Sequence, residues 1–202
     1  SDVCSSDLEE GYRDHHVNRV NGDGSIDPAF AGSSITYENG DSSVSSLAVD
    51  HDGKIVIAGS FTHVDGVPCP SIARLNTNGS LDPSFDPGSG PDSDVFDLSI
   101  DDDGGIILVG WFASVDGQSR NNIARLLPSG AVDTAFTPQV NDLIRSICRD
   151  SADRILISGW FTEVEGNTRN RIARLLPDGT VDETFAPAID PQAIVLDVAV
   201  DH

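Results

Sequence analysis

Three near copies of one segment constrain the fold of this chain more than any other feature of its sequence. The copies occupy residues 59–85, 110–136 and 159–185, and their leading glycines stand 51 and 49 residues apart. A partial copy lies upstream at residues 17–30, and the start of a further copy lies downstream at residues 194–202. The chain is therefore built from a repeating unit of about 50 residues. Any residue that recurs in every unit is explained first by what folding requires.

The repeat begins in mid-unit and ends in mid-unit, so we expect the chain to be a piece of a longer protein. Residues 1–8 read SDVCSSDL, match no part of the repeat and resemble the translation of a sequencing-library adapter. We therefore expect residues 1–16 to form a non-native or disordered leader. His15 and His16 stand in this leader without a partner at metal-binding spacing, which indicates a surface position.

Each unit contains four short strand signals separated by turn signals. In the first unit they span residues 44–50, 54–61, 71–76 and 80–85, and the other units repeat them at the same offsets. The second signal is almost continuously apolar and β-branched, which is typical of a strand buried on both faces. A tight hairpin is predicted between the third and fourth strands, because a glycine such as Gly79 supplies the positive φ that its turn needs.

Four antiparallel strands of this length, with their turns, account for a unit of about 50 residues, as in one blade of a β-propeller. A β-helix coil would repeat at about half this length. An α-solenoid would need a helical hydrophobic period, which is absent. We therefore predict an all-β fold, a β-propeller fragment of four-stranded antiparallel blades. Full blades are expected at residues 44–85, 94–136 and 143–185, within a repeat region that covers residues 17–202.

The consensus of the repeated segment, G-x-F-x-x-V-[DE]-G-x(5)-I-A-R-L-x(3)-G-x-[LV]-D-x-x-F, resembles the delta-60 repeat family. The resemblance covers nearly everything from Val17 to His202 and rests on three full copies. It implies a β-propeller-type repeat found mainly in large bacterial proteins, which are often secreted or bound to the cell surface. It implies no enzymatic activity for the repeat itself.

The charge of the chain limits its partners. The formal net charge is −21 at pH 7, with 33 acidic residues against 12 basic ones. Such a chain lacks the basic face that a nucleic-acid backbone requires. No run of about 18 apolar residues is present, so no membrane span is predicted. The motifs H-E-x-x-H and G-x-S-x-G and paired zinc-ligand cysteines are also absent, and we predict no cofactor.

An arginine and an aspartate flank the third hairpin of every unit, where a contact between them is within reach and can be bidentate. Because the pair recurs, we interpret it as structural rather than as a ring of ligand-binding arginines. The pairs are Arg74 with Asp82, Arg125 with Asp133, Arg174 with Asp182 and, upstream, Arg19 with Asp27. The alternative carboxylate partners are those of the preceding loop: Asp65, Asp116 and Glu165.

The loop between the second and third strands differs between units, and binding residues are usually carried on such loops. Its variable positions, together with the aromatic residue that ends the second strand, are the candidates for ligand recognition. These candidates are Trp111, Arg120, Asn121, Trp160, Arg169 and Asn170. The alternative for the two tryptophans is packing between blades, with Ser60 in their place in the first unit.

Several acidic turns resemble parts of calcium sites. The hairpin between the first two strands reads DHD at residues 50–52 and DDD at residues 101–103, and NGDGSID at residues 21–27 resembles half of an EF-hand loop. Calcium takes about six to eight oxygen ligands, whereas each hairpin turn offers only two or three carboxylates. We therefore interpret these segments as solvated turns and expect weak or no specific calcium binding.

Together these observations favour a non-enzymatic β-propeller scaffold or interaction module of a large bacterial exported or surface protein. Its expected partners are a protein or glycan ligand and the remaining blades of the same chain. The extracellular or cell-surface location is implied by the family resemblance. Two alternatives stay open: part of a propeller enzyme that acts on glycans, with its site in other blades, and a calcium-dependent binding module.

Overall fold

The computed structural model describes residues 4–7, 14–38 and 42–200. These residues form antiparallel strands, turns and irregular connections, and no helix occurs among them. The predicted all-β class is therefore confirmed. The described ranges contain no helix that is long and apolar enough to cross a membrane.

The described residues contain eighteen short strands, of which five belong to each full unit and three precede the first one. In chain order they are β1 (Cys4–Asp7), β2 (Asp14–Val17), β3 (Ser33–Thr36), β4 (Ser43–Val49), β5 (Ile55–Ser60), β6 (His63–Val64), β7 (Val67–Pro68), β8 (Ile72–Leu75), β9 (Val95–Ile100), β10 (Ile106–Gly110), β11 (Ser114–Val115), β12 (Gln118–Ser119), β13 (Ile123–Leu126), β14 (Ile144–Arg149), β15 (Ile155–Gly159), β16 (Glu163–Val164), β17 (Asn167–Thr168) and β18 (Ile172–Leu175).

Each full unit has one three-stranded antiparallel sheet with its second predicted strand in the centre. The strand orders are β4-β5-β8, β9-β10-β13 and β14-β15-β18. The first three strand signals of each unit thus lie where the sequence predicted them. In the turn between the first two strands, Gly53 and Gly104 have φ of 75° and 80°, and Asp153 takes the same role at 61°. Asp tolerates this left-handed conformation better than most residues.

The predicted fourth strand is replaced by a single β-bridge, formed by Leu75 with Leu81 in the first unit. The reason is the turn that follows. Oδ1 of Asp82 accepts hydrogen bonds from the backbone N–H and the hydroxyl of Ser84, at 3.0 and 2.7 Å, and the Phe85 N–H donates to the Asp82 carbonyl at 3.3 Å. This Asx turn leads the chain out of the sheet directly after the bridge. The motif D-x-x-F is therefore a turn rather than part of a strand.

A two-residue hairpin occupies the connection between the second and third strands, which the sequence analysis treated as a variable loop. In the first unit it joins β6 to β7 through Asp65 and Gly66, with φ of 51° and 76°. Positive φ at both central residues is what a type I′ turn requires, and Asp-Gly is a strong signal for it. The signal was present in the sequence, because Asp-Gly or Glu-Gly stands there in every unit.

The acidic residue of this hairpin binds the linker that precedes the unit. It does not pair with an arginine. Oδ1 of Asp65 accepts the backbone N–H of Ser34 at 2.8 Å, and Oδ1 of Asp116 accepts that of Ser89 at 3.0 Å. Glu165 makes the equivalent contact through Oε1 in the third unit. These three carboxylates therefore fix the linkers between units and are not the arginine partners.

The hydrophobic cores lie between consecutive units. Ile106 and Leu108 of β10 pack in a cluster with Val56 and Ala58 of the first unit. Their neighbours on the opposite face of β10 pack in a second cluster with residues of the third unit. A third cluster joins the upstream segment to the first unit. The second strand is thus buried on both faces, as its apolar run predicted, because each face contacts a different unit.

The first strands of neighbouring units are joined by alternating serine and aspartate side chains. Asp97 accepts hydrogen bonds from the Ser46 hydroxyl at 2.8 Å, from the Ser146 hydroxyl at 3.2 Å and from the Ile147 backbone N–H at 3.0 Å. The Ser146 hydroxyl also contacts Asp197 at 2.6 Å. Serine and aspartate thus alternate from unit to unit at this position, so that each of these aspartates contacts a serine hydroxyl.

The flanking segments are described only in part. Part of the leader expected at residues 1–16 is in strands, since β1 pairs with β2 and β2 with β3; its residues 1–3 and 8–13 lie outside the described residues. Downstream, residues 194–200 are not assigned to a strand, although Asp197 contacts the third unit; residues 201–202 lie outside the described residues.

Candidate functional site

The recurring arginine is a clamp that joins three groups. In the first unit, Nε of Arg74 donates to Oδ2 of Asp82 at 2.8 Å, and its guanidinium lies 4.9 Å from the centre of the Phe85 ring. Its Nη1 reaches the second unit and donates to the Pro128 carbonyl at 2.7 Å. The side chains of Arg74 and Asp82 are only 10% and 3% exposed. The clamp therefore ties the turn of one unit to the hairpin of the next.

The clamp recurs with nearly the same geometry at other units. Arg19 donates to Asp27 at 2.9 Å and to the Thr77 carbonyl at 2.9 Å, and it lies 5.3 Å from the Phe30 ring. Arg174 donates to Asp182 at 2.8 Å and lies 4.6 Å from the Phe185 ring. This geometry is what the structural interpretation of the arginine pairs expects.

The second unit departs from this pattern. Nη2 of Arg125 lies 2.6 Å from Oδ2 of Asp101, whereas its Nε is 3.9 Å from Asp133. The cause is Gly105, which stands where the other full units have a cation, Lys54 or Arg154. A Cβ at position 105 would lie 2.8 Å from Nε of Arg125, so the arginine occupies the space that a side chain there would need.

Replacing Gly105 by lysine is expected to stabilise the protein by about 1 kcal/mol, because glycine loses more conformational freedom on folding than any other residue. Gly105 lies outside the left-handed region, and the atoms nearest a new Cβ belong to the side chains of Asp101 and Arg125, which must shift to admit it. The lysine would contact Asp133, as Lys54 contacts Asp82 at 2.8 Å. The melting temperature should rise by about 2–4 °C. The reverse substitution, K54G, should lower the melting temperature. A lower melting temperature for G105K together with an unchanged one for K54G would contradict this account.

The two tryptophans lie on the surface. Trp111 is 64% exposed and Trp160 is 51% exposed. Each directly follows the central strand of its unit, and the backbone N–H of Trp111 donates to the Asp94 carbonyl at 3.0 Å. With more than half of each residue open to solvent, packing between blades does not account for either side chain.

Trp111 and Asn121 line a common groove of about 490 Å³, which we call the Trp111 groove. One wall is formed by the second unit and the other by the linker to the third unit, and the lining includes Asp92, Ser93, Trp111, Asn121, Asn122 and Asn141. Asn122 has φ of 65°, and its backbone is fixed by hydrogen bonds with Phe112 and Gly110 at 2.9 and 3.1 Å. The position of the two amides is therefore set by the backbone rather than by contacts of their own side chains.

Two polar residues in the wall of the groove are already engaged. Burial disfavours the charge of Asp92, but hydrogen bonds from the N–H groups of Ser114 and Ala113 and from the Ser114 hydroxyl outweigh it, so its pKa lies below the ordinary range. Oδ1 of Asn141 accepts the backbone N–H groups of Thr162 and Glu163 at 3.0 and 3.1 Å. Both residues shape the groove.

The other candidate residues take different positions. Arg120 is buried and donates to the Ser119 carbonyl at 2.7 Å and the Asp133 carbonyl at 3.2 Å, away from the groove lining. Arg169 is half-buried and donates to the Thr168 carbonyl at 2.9 Å. Asn170 donates to the Ile189 carbonyl at 3.1 Å. Of the six candidates, the groove thus brings together only Trp111 and Asn121.

Arg171 is a residue that the sequence analysis missed. It occupies the place of Asn122 in the third unit, with almost the same φ of 66°. Its guanidinium donates to the carbonyls of Trp160 and Pro191, so it spans the space that corresponds to the Trp111 groove. Its signal in the sequence was the change from Asn122 to arginine at the equivalent position, one of six differences between the two loops.

In the acidic turns between the first two strands, the first aspartate accepts hydrogen bonds from backbone N–H groups of its own turn. Oδ1 of Asp50 accepts the N–H groups of Asp52 and Lys54, both at 2.9 Å. Oδ1 of Asp101 accepts those of Asp103 and Gly105 at 3.1 and 2.6 Å. In the upstream turn, residues 21–27, Asp23 accepts the Ser25 N–H and hydroxyl. In the described part of the chain, no cluster of three or more His, Cys, Asp or Glu side chains is arranged to hold a metal.

Sequence comparison matches the three full units to one family model, described as a domain of unknown function (DUF5122) beta-propeller. The matched residues are 51–85, 102–136 and 152–185, just over half of the chain. No curated protein has a sequence similar enough to match this chain.

Several solved structures resemble the chain at low identity. A catalytically inactive virginiamycin B lyase from Staphylococcus aureus, crystallised with quinupristin, is 21% identical with a TM-score of 0.46, over 78% of this chain and 45% of the lyase. A protein of unknown function from Bacteroides caccae is 12% identical with a TM-score of 0.32, over 84% and 75%. The extracellular domain of a hybrid two-component system from B. thetaiotaomicron is 14% identical with a TM-score of 0.29, over 86% and 20%. The chain thus spans less than half of the lyase.

Proposed function

Since the chain belongs to the DUF5122 β-propeller family, we propose that it is a non-enzymatic interaction module of a large exported or surface-bound bacterial protein. The observation that carries this proposal is the exposure of Trp111 and Trp160, at 64% and 51%, on equivalent positions of two units. A large aromatic side chain that stays in water contributes little to folding, whereas it is well suited to binding a partner. The stacked units supply a rigid support for these side chains.

The state of the carboxyl groups supports a role without catalysis. A general acid needs a pKa raised toward the working pH. In the described part of the chain, the carboxyls with a perturbed pKa are all shifted downward, toward the ionised form. They are Asp23, Asp27, Asp82, Asp92, Asp150, Asp178, Asp182 and Asp197. Their hydrogen bonds come from their own turns, linkers and clamps, so these groups serve the fold.

The exported location and the scaffold role also draw on the resemblance of the repeat to the delta-60 family. The consensus that carries this resemblance includes residues whose structural use is now clear, such as the arginine of the clamp and the D-x-x-F turn. Of the residues that line the Trp111 groove, Phe112 belongs to that consensus. The others lie at variable positions or outside the repeated segment. Recognition therefore belongs to this chain's own loops rather than to the repeat.

The proposal predicts that the labelled chain is retained on an array of immobilised glycans and extracellular proteins, and that the double variant W111A/W160A loses this retention. Mass spectrometry of the bound glycans should show no change after long incubation. Chemical turnover would favour a propeller enzyme, and a strict calcium requirement would favour a calcium-dependent module. Equal retention of the double variant and the parent chain would contradict an interaction through the tryptophans.

A further inference from the structure

The Trp111 groove offers polar groups that the fold leaves unused. Within the described residues, the side-chain amides of Asn121 and Asn122 and the indole N–H of Trp111 have no hydrogen-bond partner. Each amide carries donors and an acceptor side by side. These groups flank an indole ring that is mostly open to solvent. The groove therefore combines a flat apolar surface with adjacent donors and acceptors.

We propose that the Trp111 groove binds a neutral oligosaccharide, an inference that rests on the proposed interaction function and names its ligand class. A pyranose ring presents an apolar face of C–H groups, which can lie on an indole ring, and hydroxyls at its edge that both donate and accept. The two free amides match those hydroxyls. At about 490 Å³, the groove falls within the usual size range of small-ligand sites.

The charge of the site excludes anionic sugars. Among the described residues, no lysine or arginine lines the groove, and the single carboxylate there, Asp92, is ionised and engaged by Ser114 and Ala113. The chain as a whole carries a formal charge of −21. A uronate or sulfated ligand would therefore be repelled without any compensating ion pair.

The third unit supplies a natural control, because its tryptophan stands beside an arginine where the second unit has Asn122. Trp160 corresponds to Trp111, but the Arg171 guanidinium spans the neighbouring space, and Asn170 is engaged by the Ile189 carbonyl. We therefore assign saccharide binding to the second unit alone. Arginine is compatible with the backbone of position 122, because Arg171 has φ of 66° where Asn122 has 65°.

The test is a titration of the full chain with neutral hexasaccharides of glucose, mannose and xylose, followed by the fluorescence of its two tryptophans and by calorimetry. At least one hexasaccharide should bind. W111A should weaken that binding at least tenfold, and W160A should change it less than twofold. N122R should also weaken it at least tenfold, while R171N should create a second site. Thermal melts of each variant separate loss of binding from loss of folding.

Several outcomes would overturn the proposal: no binding of any hexasaccharide, equal losses in W111A and W160A, or binding of a galacturonate hexamer or of short peptides instead. The interaction function itself is tested separately by the array. Retention that is lost in W111A/W160A but kept in W111A would preserve the interaction function and reject the saccharide groove. If neither W111A nor W111A/W160A loses retention, both the interaction function and the saccharide groove are rejected.

Discussion

Replacing Gly110 by alanine is expected to lower the free energy of unfolding by about 3 kcal/mol or more, at the upper end for overpacking, because the added methyl group would overlap backbone atoms. Strand β9 has a bulge at Phe96, since Gly110 pairs with Val95 while Val109 pairs with Asp97. The bulge brings β9 so close that a Cβ on Gly110 would lie 2.2 Å from the Asp94 carbonyl oxygen. Backbone cannot move aside as the end of a side chain can.

The same contact explains why a glycine begins every repeated segment. A Cβ would lie 2.1 Å from a backbone carbonyl oxygen at Gly59 and 2.3 Å from one at Gly159. Neither glycine has a positive φ, so the requirement is for space and not for backbone freedom.

Urea denaturation followed by far-ultraviolet circular dichroism measures the effect, with Gly117 as the matched control. Gly117 has φ of 67° but no atom within 4 Å of an added Cβ. G117A should therefore cost only about 1 kcal/mol, the penalty of an alanine in the left-handed region. Equal losses in G110A and G117A would show that close approach is not the cause.

Replacing Arg74 by alanine should cost about 3 kcal/mol, the low end for breaking a buried ion pair, because Asp82 keeps its contact with Lys54. The variant loses the bond to Asp82, the contact with Phe85 and the bond to the Pro128 carbonyl of the next unit. Denaturation of R74A, R74K and R174A measures the separate parts. R74K should lie between the parent and R74A, since lysine lacks the planar fork. R174A should cost less than R74A, because the side chain of Arg174 is more exposed, at 17% against 10%.

The pH dependence of stability provides an independent check on this clamp. Burial disfavours the charge of Asp82, but hydrogen bonds from Lys54, Ser84 and Arg74 outweigh it and hold its pKa well below the ordinary range. The stabilisation is therefore fully present above the unfolded pKa of about 3.9 and is lost as the pH falls toward the folded value. The stability difference between the parent and D82N should be constant from about pH 5 to 8 and shrink below about pH 4. A constant difference down to about pH 3 would contradict the assignment.

Features set by hydrogen bonding along the chain were predictable from the sequence. The apolar run of the second strand, the turn glycines and the repeat length located three strands in each unit. They also identified the pairing of Arg74 with Asp82 and of Arg174 with Asp182. Each of these depends on residues within one unit, so a local pattern is sufficient. The Asp-Gly hairpin at Asp65 belongs to the same class and could have been predicted from its turn signal.

The rest was decided by contacts between units about 50 residues apart, which no local pattern encodes. Arg125 is an exception, because it changes partner within its own unit, where Gly105 leaves space beside Asp101. The groove beside Trp111 exists because the linker to the third unit forms its other wall and Asn122 is too short to fill it, whereas Arg171 fills the corresponding space. The sequence by itself determined the blades, since backbone hydrogen bonds and burial recur in every unit. Only the tertiary structure decided where a ligand can enter, because that depends on which side chain of one unit meets the backbone of the next.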